Sequence, residues 1–367
     1  MPLSLSPVAR VIALVALSIL LVLMLIASVA SGPSLDERAH ALLDTLHDEA
    51  ARRVDRDRLA REDGYAYTVD VAQLALFAAR SNDAALYLAL ADRMLETVVV
   101  DDPQDTYTRG FVAWRHHPDQ PLDASGTTEA LRVAQALYEA PGLERQAEHR
   151  PVIERILAGY ARHAATDQGM WFVRNYYNLQ TNAFSPNSYL VDYDPDFVAA
   201  FASAAGDPEL VDLAERSNDL IRDAATPAGL IHAVVMPELA TLMPGDTPIF
   251  SPNRIEGLGN VATVAIGTVE TDPATADRVL DFAVDRLHDL GRHYDATTGR
   301  RIADSPDAHL VEHAVLLRLA AARDHPDTDR LLARLVRQLE RDAPVGNKAS
   351  LYTLTECLLA LQSALSR

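Results

Sequence analysis

The chain contains twelve segments with helical periodicity, and this pattern constrains its fold more than any other feature. Apolar side chains recur at three- and four-residue spacing in most segments, as at Leu331, Leu335 and Leu339. Ala and Leu, both strong helix formers, supply many of these positions. The segments lie at residues 36–60, 67–80, 84–98, 125–139, 149–165, 193–205, 207–224, 253–267, 272–289, 306–323, 327–340 and 349–366.

The connections between these segments alternate in length. Within a pair the connection is short, as at residues 205–207, whereas a longer polar stretch precedes every second helix. Twelve helices paired in this way predict an all-α fold of six hairpins, an (α/α)6 toroid; an irregular helical bundle is the alternative. If alternate helices form an inner ring, the long stretches meet at one mouth of the barrel, where sites are usually built. These stretches are 61–67, 107–128, 171–194, 248–256, 294–309 and 342–352.

Two interruptions of the helical pattern have the composition of short β-elements. Residues 170–173, followed by Tyr176 and Tyr177, favour a strand or hairpin. Residues 229–235 combine apolar and β-branched side chains and favour a second strand.

Composition excludes several classes of protein. Hydrophobic residues make up 49% of the 367 residues, which is enough for a sizeable core. The formal net charge is -19, and a polyanionic surface repels nucleic acid, so neither DNA nor RNA is expected as a partner. Cys357 is the only cysteine, which excludes an intramolecular disulfide and a cysteine-based metal site.

The N-terminus carries a targeting signal. An apolar run over residues 11–30 follows Arg10 and is about as long as a membrane-spanning helix. Small residues near Ala30 also resemble a cleavage site for signal peptidase, so an uncleaved anchor, which we favour, and a cleaved signal both stay open. We therefore divide the chain into an anchor or signal segment, 1–32, and a toroid domain, 33–367. We expect that domain outside the cytoplasm, on the cell membrane or secreted.

The first two long stretches supply candidate site residues. Glu62 precedes the second helix beside Tyr65, and a carboxyl packed against aromatic rings has a raised pKa and can donate a proton, although helix capping also explains it. Trp114 and Arg115 lie in the next stretch, where a Trp ring can stack on sugars. Capping of the fourth helix is the alternative explanation of its first residues, among them Glu129.

Two later stretches repeat this combination of polar groups. Asn187 and Tyr189 hydrogen-bond hydroxyl groups well, and Asp192 and Asp194 follow them before the next helix. Arg254 and Glu256 open the eighth helix, either as a weak surface pair or as pocket residues.

Histidine gives only a weak metal signal. His309, Glu312 and His313 match the H-x-x-E-H spacing, but no third ligand is evident. We therefore predict no metal and no cofactor.

Several short motifs within residues 60–320 resemble glycoside hydrolase family 8, whose members are inverting six-hairpin toroids that act on cellulose, chitosan or xylan. Residues 62–65 look like the family's general-acid segment. Residues 113–115, with Thr127 and 131–137, resemble its Trp loop and Ala-Thr-Asp helix. Residues 187–190 resemble its Asn-Pro-Ser-Tyr segment, and residues 250–254 its Tyr-Asp-x-x-Arg segment, which holds the catalytic base.

This chain departs from the family at three functional positions. When Tyr65 is aligned, the acid position holds Arg61, and Glu62 is displaced by one residue. Thr128 replaces the Asp of the Ala-Thr-Asp motif, and Ser251 stands where the base is expected, although a hydroxyl cannot accept a proton as a carboxylate does.

The resemblance implies a carbohydrate-active protein that cleaves β-linked polysaccharides, with a poly- or oligosaccharide as its partner. Our hypothesis assigns the acid to Glu62 and the base to Glu256, Asp192 or Asp194. One alternative is a non-catalytic protein for glycan binding or polysaccharide assembly on a degenerate toroid. Another is an isomerase or lyase that uses His232 or His309. The substrate-binding residues are predicted to be Tyr65, Trp114, Arg115, Thr128, Glu129, Asn187, Tyr189 and Arg254.

Overall fold

The computed structural model of the chain describes residues 32–167, 169–237, 254–346 and 350–367. Within these ranges the chain forms twelve α-helices, joined in sequence as six hairpins. They are α1 (Leu35–Asp55), α2 (Thr68–Arg80), α3 (Ala84–Thr97), α4 (Thr127–Tyr138), α5 (Leu143–Ala161), α6 (Pro195–Ala205), α7 (Pro208–Ala224), α8 (Leu258–Ile266), α9 (Pro273–Asp285), α10 (Leu310–Ala322), α11 (Thr328–Asp342) and α12 (Leu351–Leu365).

The even-numbered helices form the inner ring. Helix α2 packs on α4, α8 packs on α10, and α10 packs on α12. The ring closes because α12, at the end of the chain, packs on α2 near its beginning. Between α4 and α8 the ring is completed by α6 and by the 3-10 turn Leu190–Asp192, which contacts both neighbours. The odd-numbered helices lie outside, so the expected toroid is confirmed.

Burial explains why the inner helices carry so few charges. All residues from Asp70 to Ala79 in α2 are buried, as are ten of the thirteen residues of α10. An outer helix such as α11 instead buries one stripe, which includes Leu331, Leu335 and Leu339. The twelve-segment pattern therefore reflects two kinds of helix, one buried on most sides and one amphipathic.

Asp caps and Pro residues set the starts of several helices. The side chains of Asp194 and Asp272 accept hydrogen bonds from the first turns of α6 and α9, and Pro follows each of them. Gly206 ends α6 in the left-handed conformation, with φ of 71°, so that Asp207 can cap α7 directly. These Asp, Pro and Gly residues end one helix and begin the next within a few residues, which makes the connections within hairpins short.

Eleven short β-strands accompany the helices within the described ranges, mostly in the connections that lead into inner helices. The strands predicted at residues 170–173 and within 229–235 are present as β5 (Met170–Val173) and β9 (Val234–Val235). The strands are β1 (Ala66–Tyr67), β2 (Arg115–His116), β3 (Ala124–Gly126), β4 (Ala164–Asp167), β5 (Met170–Val173), β6 (Tyr176–Asn178), β7 (Ala183–Phe184), β8 (Ser188–Tyr189), β9 (Val234–Val235), β10 (Ile255–Gly257) and β11 (His293–Asp295).

These strands tie neighbouring connections to one another. Strand β1 pairs antiparallel with β2, β3 with β6, β8 with β9, and β10 with β11. Because β1, β3 and β10 each run directly into an inner helix, the pairing holds the starts of α2, α4 and α8 at the same mouth of the barrel.

Three helix starts differ from the prediction by more than two residues. Helix α8 begins at Leu258 rather than 253, because residues 255–257 pair as a strand with β11. Helix α10 begins at Leu310 rather than 306. Helix α5 begins at Leu143 rather than 149 and contains Pro151 in its interior.

Two predictions fall on residues outside the described ranges. Residues 1–31, which carry most of the predicted anchor or signal segment, are not among them, and neither is Ser251. In the part of the chain that the structure does describe, no helix is both long enough and apolar enough to span a membrane.

Candidate active site at the barrel mouth

The candidate site is built at the starts of the inner helices, where the long connections converge. Glu129 is the third residue of α4, and Asp70 is the third residue of α2. Asp192 ends the 3-10 turn that packs between α4 and α8. Three acidic side chains from three hairpins therefore lie around one end of the barrel.

Glu129 folds back over the start of its own helix. A Cβ atom on Gly126 would lie 1.8 Å from Oε2 of Glu129 and 3.3 Å from Cβ of Trp114. Only glycine leaves room at this position for the carboxyl group, which also contacts the backbone N–H of its own residue. Gly126 thus leaves the space that the Glu129 carboxyl group occupies.

The environment of Glu129 favours its protonated form. Burial, followed by the nearby charges of Asp192 and Asp70, raises the pKa of Glu129 to about 8. The backbone N–H and Arg61 oppose this effect only in part. Protein atoms pack closely around the Glu129 carboxyl group. The residue is nevertheless partly solvent-accessible, so a ligand can contact it.

Asp192 is the buried neighbour of Glu129. The Thr128 hydroxyl donates to Oδ1 of Asp192, whereas Oδ2 is buried and has no partner among the described residues. Burial raises the pKa of Asp192 to about 7, against the hydrogen bonds from Thr128 and Thr127. Both carboxyl groups are therefore shifted towards their protonated forms, and the shift is larger for Glu129.

Arg61 stands at the position that the resemblance assigns to the general acid. Its guanidinium forms two hydrogen bonds to the carboxylate of Asp70, at 2.9 and 2.7 Å, and lies 3.8 Å from the centre of the Tyr67 ring. Burial nevertheless raises the pKa of Asp70 above its ordinary value. This part of the mouth holds a fixed ion pair rather than a free acid.

Aromatic rings and Arg115 form one wall beside this ion pair. The guanidinium of Arg115 lies 3.9 Å from the centre of the Tyr65 ring and 4.2 Å from that of Trp114. Asp123 accepts hydrogen bonds from the Trp114 indole at 2.7 Å and from Arg115 at 2.9 Å. The Trp114 ring also meets Tyr67 edge to face at 5.5 Å, so its orientation is fixed while part of it stays exposed.

The two other candidate bases are engaged with partners. Asp194 is buried, and its carboxylate lies 2.8 Å from Arg132, which is buried as well. Glu256 is also buried, and its Oε1 lies 3.3 Å from Nδ1 of His232. Both carboxylates are held in place, but neither is freely exposed at the mouth.

A cavity of about 200 Å³ lies at the starts of α8, α10 and α12. Arg292 donates to Glu312 across it at 3.1 Å, and Asn260 and Tyr352 also line it. Amide, phenol, guanidinium and carboxylate groups in one cavity are suited to binding several hydroxyl groups.

The structure places the other predicted site residues at the edge of this region or away from it. Glu62 is exposed and does not belong to the coupled group of Glu129, Asp192 and Asp70. Tyr189 and Arg254 are exposed, and Asn187 is partly buried. Their assigned roles stay predictions.

Arg61, Asp70, Asn260 and Tyr352 were not predicted as site residues. Each lies in or near the start of an inner helix. A polar residue at such a start is the sequence signal that could have identified them as site residues. Asp70 lies within an otherwise apolar helix, so the helical periodicity did not mark it as a site residue. Its pairing with Arg61 depends on a turn at residues 62–64.

The described residues contain no group of three or more His, Cys, Asp or Glu side chains arranged to hold a metal ion. In the H-x-x-E-H segment, Nε2 of His313 instead accepts a hydrogen bond from Arg334 at 3.2 Å.

Comparison with solved structures decides the fold class. An alpha-amylase from Clostridium perfringens superposes with a TM-score of 0.66 at 14% identity, over 82% of this chain and 87% of that chain. The chain has the (α/α)6 toroid fold of the glycoside hydrolase family 8 type. PssZ from Listeria monocytogenes gives a TM-score of 0.62 at 10% identity, over 81% of this chain and 86% of that chain.

Toroids of family 8 itself align as well. A family 8 protein from Teredinibacter turnerae, solved as a xylobiose complex, gives a TM-score of 0.57 at 15% identity over 82% of each chain. No family model matches the sequence, and no curated protein matches it. At these identities the similarity establishes the fold.

Proposed function

We propose that the barrel mouth binds an oligosaccharide and that Glu129 is the group that donates a proton to the glycosidic oxygen. One observation carries this assignment: Glu129 is a partly accessible carboxyl group whose pKa of about 8 keeps it protonated at neutral pH. Glu62, our prediction from the sequence, is exposed and lies outside the coupled acidic group.

The surroundings of Glu129 suit a sugar ligand. Trp114 is partly exposed, and the face of its ring opposite the Arg115 guanidinium can stack on a sugar ring. Asn260, Arg292 and Tyr352 supply hydrogen-bonding groups at other helix starts. Solved toroids with the same fold include a xylobiose complex and an alpha-amylase. They support an oligosaccharide as the ligand class, with either linkage type.

Proton donation is half of the reaction. In an inverting mechanism a second carboxylate activates a water on the opposite side of the bond, about 6.5–9.5 Å from the acid. Glu256 stays our candidate for this base, since His232 holds its carboxylate. Asp192 belongs to the same coupled acidic group as Glu129, and we assign it the role of raising the pKa of Glu129 through its charge.

The test compares two matched variants of the full-length protein, Glu129→Gln and Glu62→Gln, on xylan, chitosan, cellulose and starch oligosaccharides. We expect the Glu129 variant to lose about a hundredfold or more in kcat, because an amide cannot donate the proton. The Glu62 variant should keep wild-type turnover. The reverse pattern would restore Glu62 as the acid and refute our assignment.

A second candidate function is glycan binding without cleavage. It is favoured by Arg61, which occupies the family's acid position and is locked to Asp70 by two hydrogen bonds. Isothermal titration of the same oligosaccharides separates the two functions. Binding without turnover in the wild-type chain selects this candidate over the hydrolase.

We also propose that residues 1–32 direct the toroid domain out of the cytoplasm. The apolar run at 11–30 supports this proposal. Cell fractionation followed by N-terminal sequencing distinguishes an anchored chain from a cleaved, secreted one. A chain found intact in the cytosolic fraction would contradict both.

A further inference from the structure

A second cavity, of about 440 Å³, lies on the outer wall of the barrel. Helix α11 contributes four of its five lining residues, and α10 contributes His313. The neighbouring α10 residues Val311 and Glu312 line the mouth cavity instead. Opposite faces of α10 therefore serve two separate cavities.

The lining of this outer cavity is basic. Arg334, Arg337 and Arg341 succeed one another at three- and four-residue spacing and so share one face of α11. Three guanidinium groups of like charge surround one cavity in a chain whose net charge is -19.

None of these three arginines forms an ion pair with a carboxylate within the described part of the chain, although the charges of Glu340 and Asp307 act on Arg337 and Arg334 from a longer distance. Arg337 and Arg341 have no hydrogen bond or ion pair there, and Arg334 contacts His313 rather than an acid. The nearby carboxylates are occupied elsewhere: Glu340 pairs with Arg38, and Asp307 pairs with Arg301. Burial and the charges of Arg337 and Arg341 lower the pKa of Arg334, so the cluster is electrostatically strained.

Two buried polar side chains in the same lining each have one atom without a partner among the described residues. Because Nε2 of His313 accepts from Arg334, its Nδ1 carries the proton, and that N–H has no acceptor among the described residues. His313 is only 1% exposed, and burial lowers its pKa to about 3, which keeps the ring neutral. Oε1 of Gln338, a side chain that is 7% exposed, is likewise unpaired. Leaving the buried His313 N–H unpaired is costly unless a ligand accepts its hydrogen bond, as an oxyanion can; Oε1 of Gln338 needs a donor instead and does not bear on the charge of the ligand.

We propose that this outer cavity is a binding site for a phosphate-type oxyanion, held by the guanidinium groups of Arg334, Arg337 and Arg341. A phosphate carries enough charge and acceptor oxygens to engage several guanidinium groups at once. An acidic protein repels anions in general, so a local cluster of three arginines without ion pairs marks one place where an anion is favoured. The phosphate can be free or part of a phospholipid headgroup, and the site chemistry is the same.

Isothermal titration of the full-length protein with inorganic phosphate, at an ionic strength held constant with NaCl, tests the site. We expect saturable binding by the wild-type chain. Arg337→Gln and Arg341→Gln should each weaken it by about tenfold, since each removes a charge-assisted hydrogen bond. Arg330→Gln is the matched control, because Arg330 lies on the same helix but pairs with Asp327, and it should stay within about twofold of wild type.

A second titration with glycerophosphoglycerol, a soluble phospholipid headgroup, identifies the source of the phosphate. Tighter binding of the headgroup than of inorganic phosphate assigns the site to lipid, and the reverse order assigns it to free phosphate. Arg337 and Arg341 are exposed and repel Arg334, so the double variant should unfold at or slightly above the wild-type temperature without phosphate, and it should lose the upward shift that phosphate gives. Absence of binding by the wild-type chain, or equal binding by the double variant, overturns the proposal.

Discussion

At the scale of single residues, the account depends on the protonation of Glu129. Its carboxyl group is packed over Gly126, close to the charges of Asp192 and Asp70. Neither neighbour is near it in sequence, so the raised pKa is a product of the closed ring. The same residue on an isolated α4 helix would be an ordinary first-turn glutamate that stabilises the helix dipole.

The pKa of Glu129 predicts a dependence of stability on pH. Because the folded-state pKa of about 8 exceeds the ordinary value of 4.5, the unfolded chain releases this proton first as pH rises. Glu129 therefore lowers the free energy of unfolding progressively between about pH 4.5 and pH 8. Glu129→Gln has no carboxyl group at this position and does not lose this stability. The unfolding temperature of the variant minus that of wild type should therefore increase from pH 5 to pH 9.

Thermal unfolding of both proteins across this pH range measures the effect. Glu62→Gln is the control and should follow the wild-type curve throughout, since Glu62 is exposed. A constant temperature difference between wild type and Glu129→Gln at all pH values would contradict the assigned pKa.

At the scale of elements, buried polar contacts join the inner helices where the ring closes. Glu356 of α12 accepts a hydrogen bond from Gln73 of α2 at 2.7 Å and one from Arg318 of α10 at 2.6 Å. Glu356 is 1% exposed, so both bonds form away from water. One carboxylate thus connects the first hairpin with the last two.

Removal of this carboxylate should destabilise the whole domain. Glu356→Ala leaves Arg318, whose side chain is 10% exposed, without its partner. Breaking a buried pair typically costs about 3–5 kcal/mol. Urea denaturation measures the loss. Asp219→Ala breaks the exposed pair with Arg222 and should change stability by less than about 1 kcal/mol. Equal effects of the two substitutions would mean that the hydrogen bonds of Glu356 do not stabilise the closure of the ring.

Sequence periodicity predicted the helices better than the site. The Asp and Pro residues that begin α6, α7 and α9 are local signals, and the structure uses them as helix caps. The start of α8 was missed because the pairing of residues 255–257 with β11 depends on a segment about forty residues away. Glu129 was predicted only as a binding residue, since its pKa depends on Asp192 and Asp70 in other hairpins.

At the scale of the whole molecule, the excess of acidic residues dominates the electrostatics. The chain carries 52 acidic and 33 basic residues. Many arginines form ion pairs with single carboxylates, as Arg80 does with Glu139. The remaining negative charges repel one another more strongly in the compact state than in the unfolded chain. The toroid therefore folds against a net repulsion.

Salt should relieve this repulsion. The screening length falls to about 10 Å at 0.1 M ionic strength, which is shorter than most distances between charges across the barrel. We expect the unfolding temperature to rise by a few degrees from low salt to about 0.5 M NaCl. KCl at the same concentrations should give the same rise if screening is the cause. A flat or falling curve would contradict the repulsion argument.

The central claim is that Glu129 meets the scissile bond of an oligosaccharide at the mouth of the ring. The most direct measurement is a crystal structure of the full-length Glu129→Gln variant soaked with an oligosaccharide that the wild-type chain binds. We predict a sugar stacked on Trp114, with its glycosidic oxygen within hydrogen-bonding distance of the amide at residue 129. A sugar bound with that amide out of reach, at Glu62 or elsewhere on the toroid, would contradict the account.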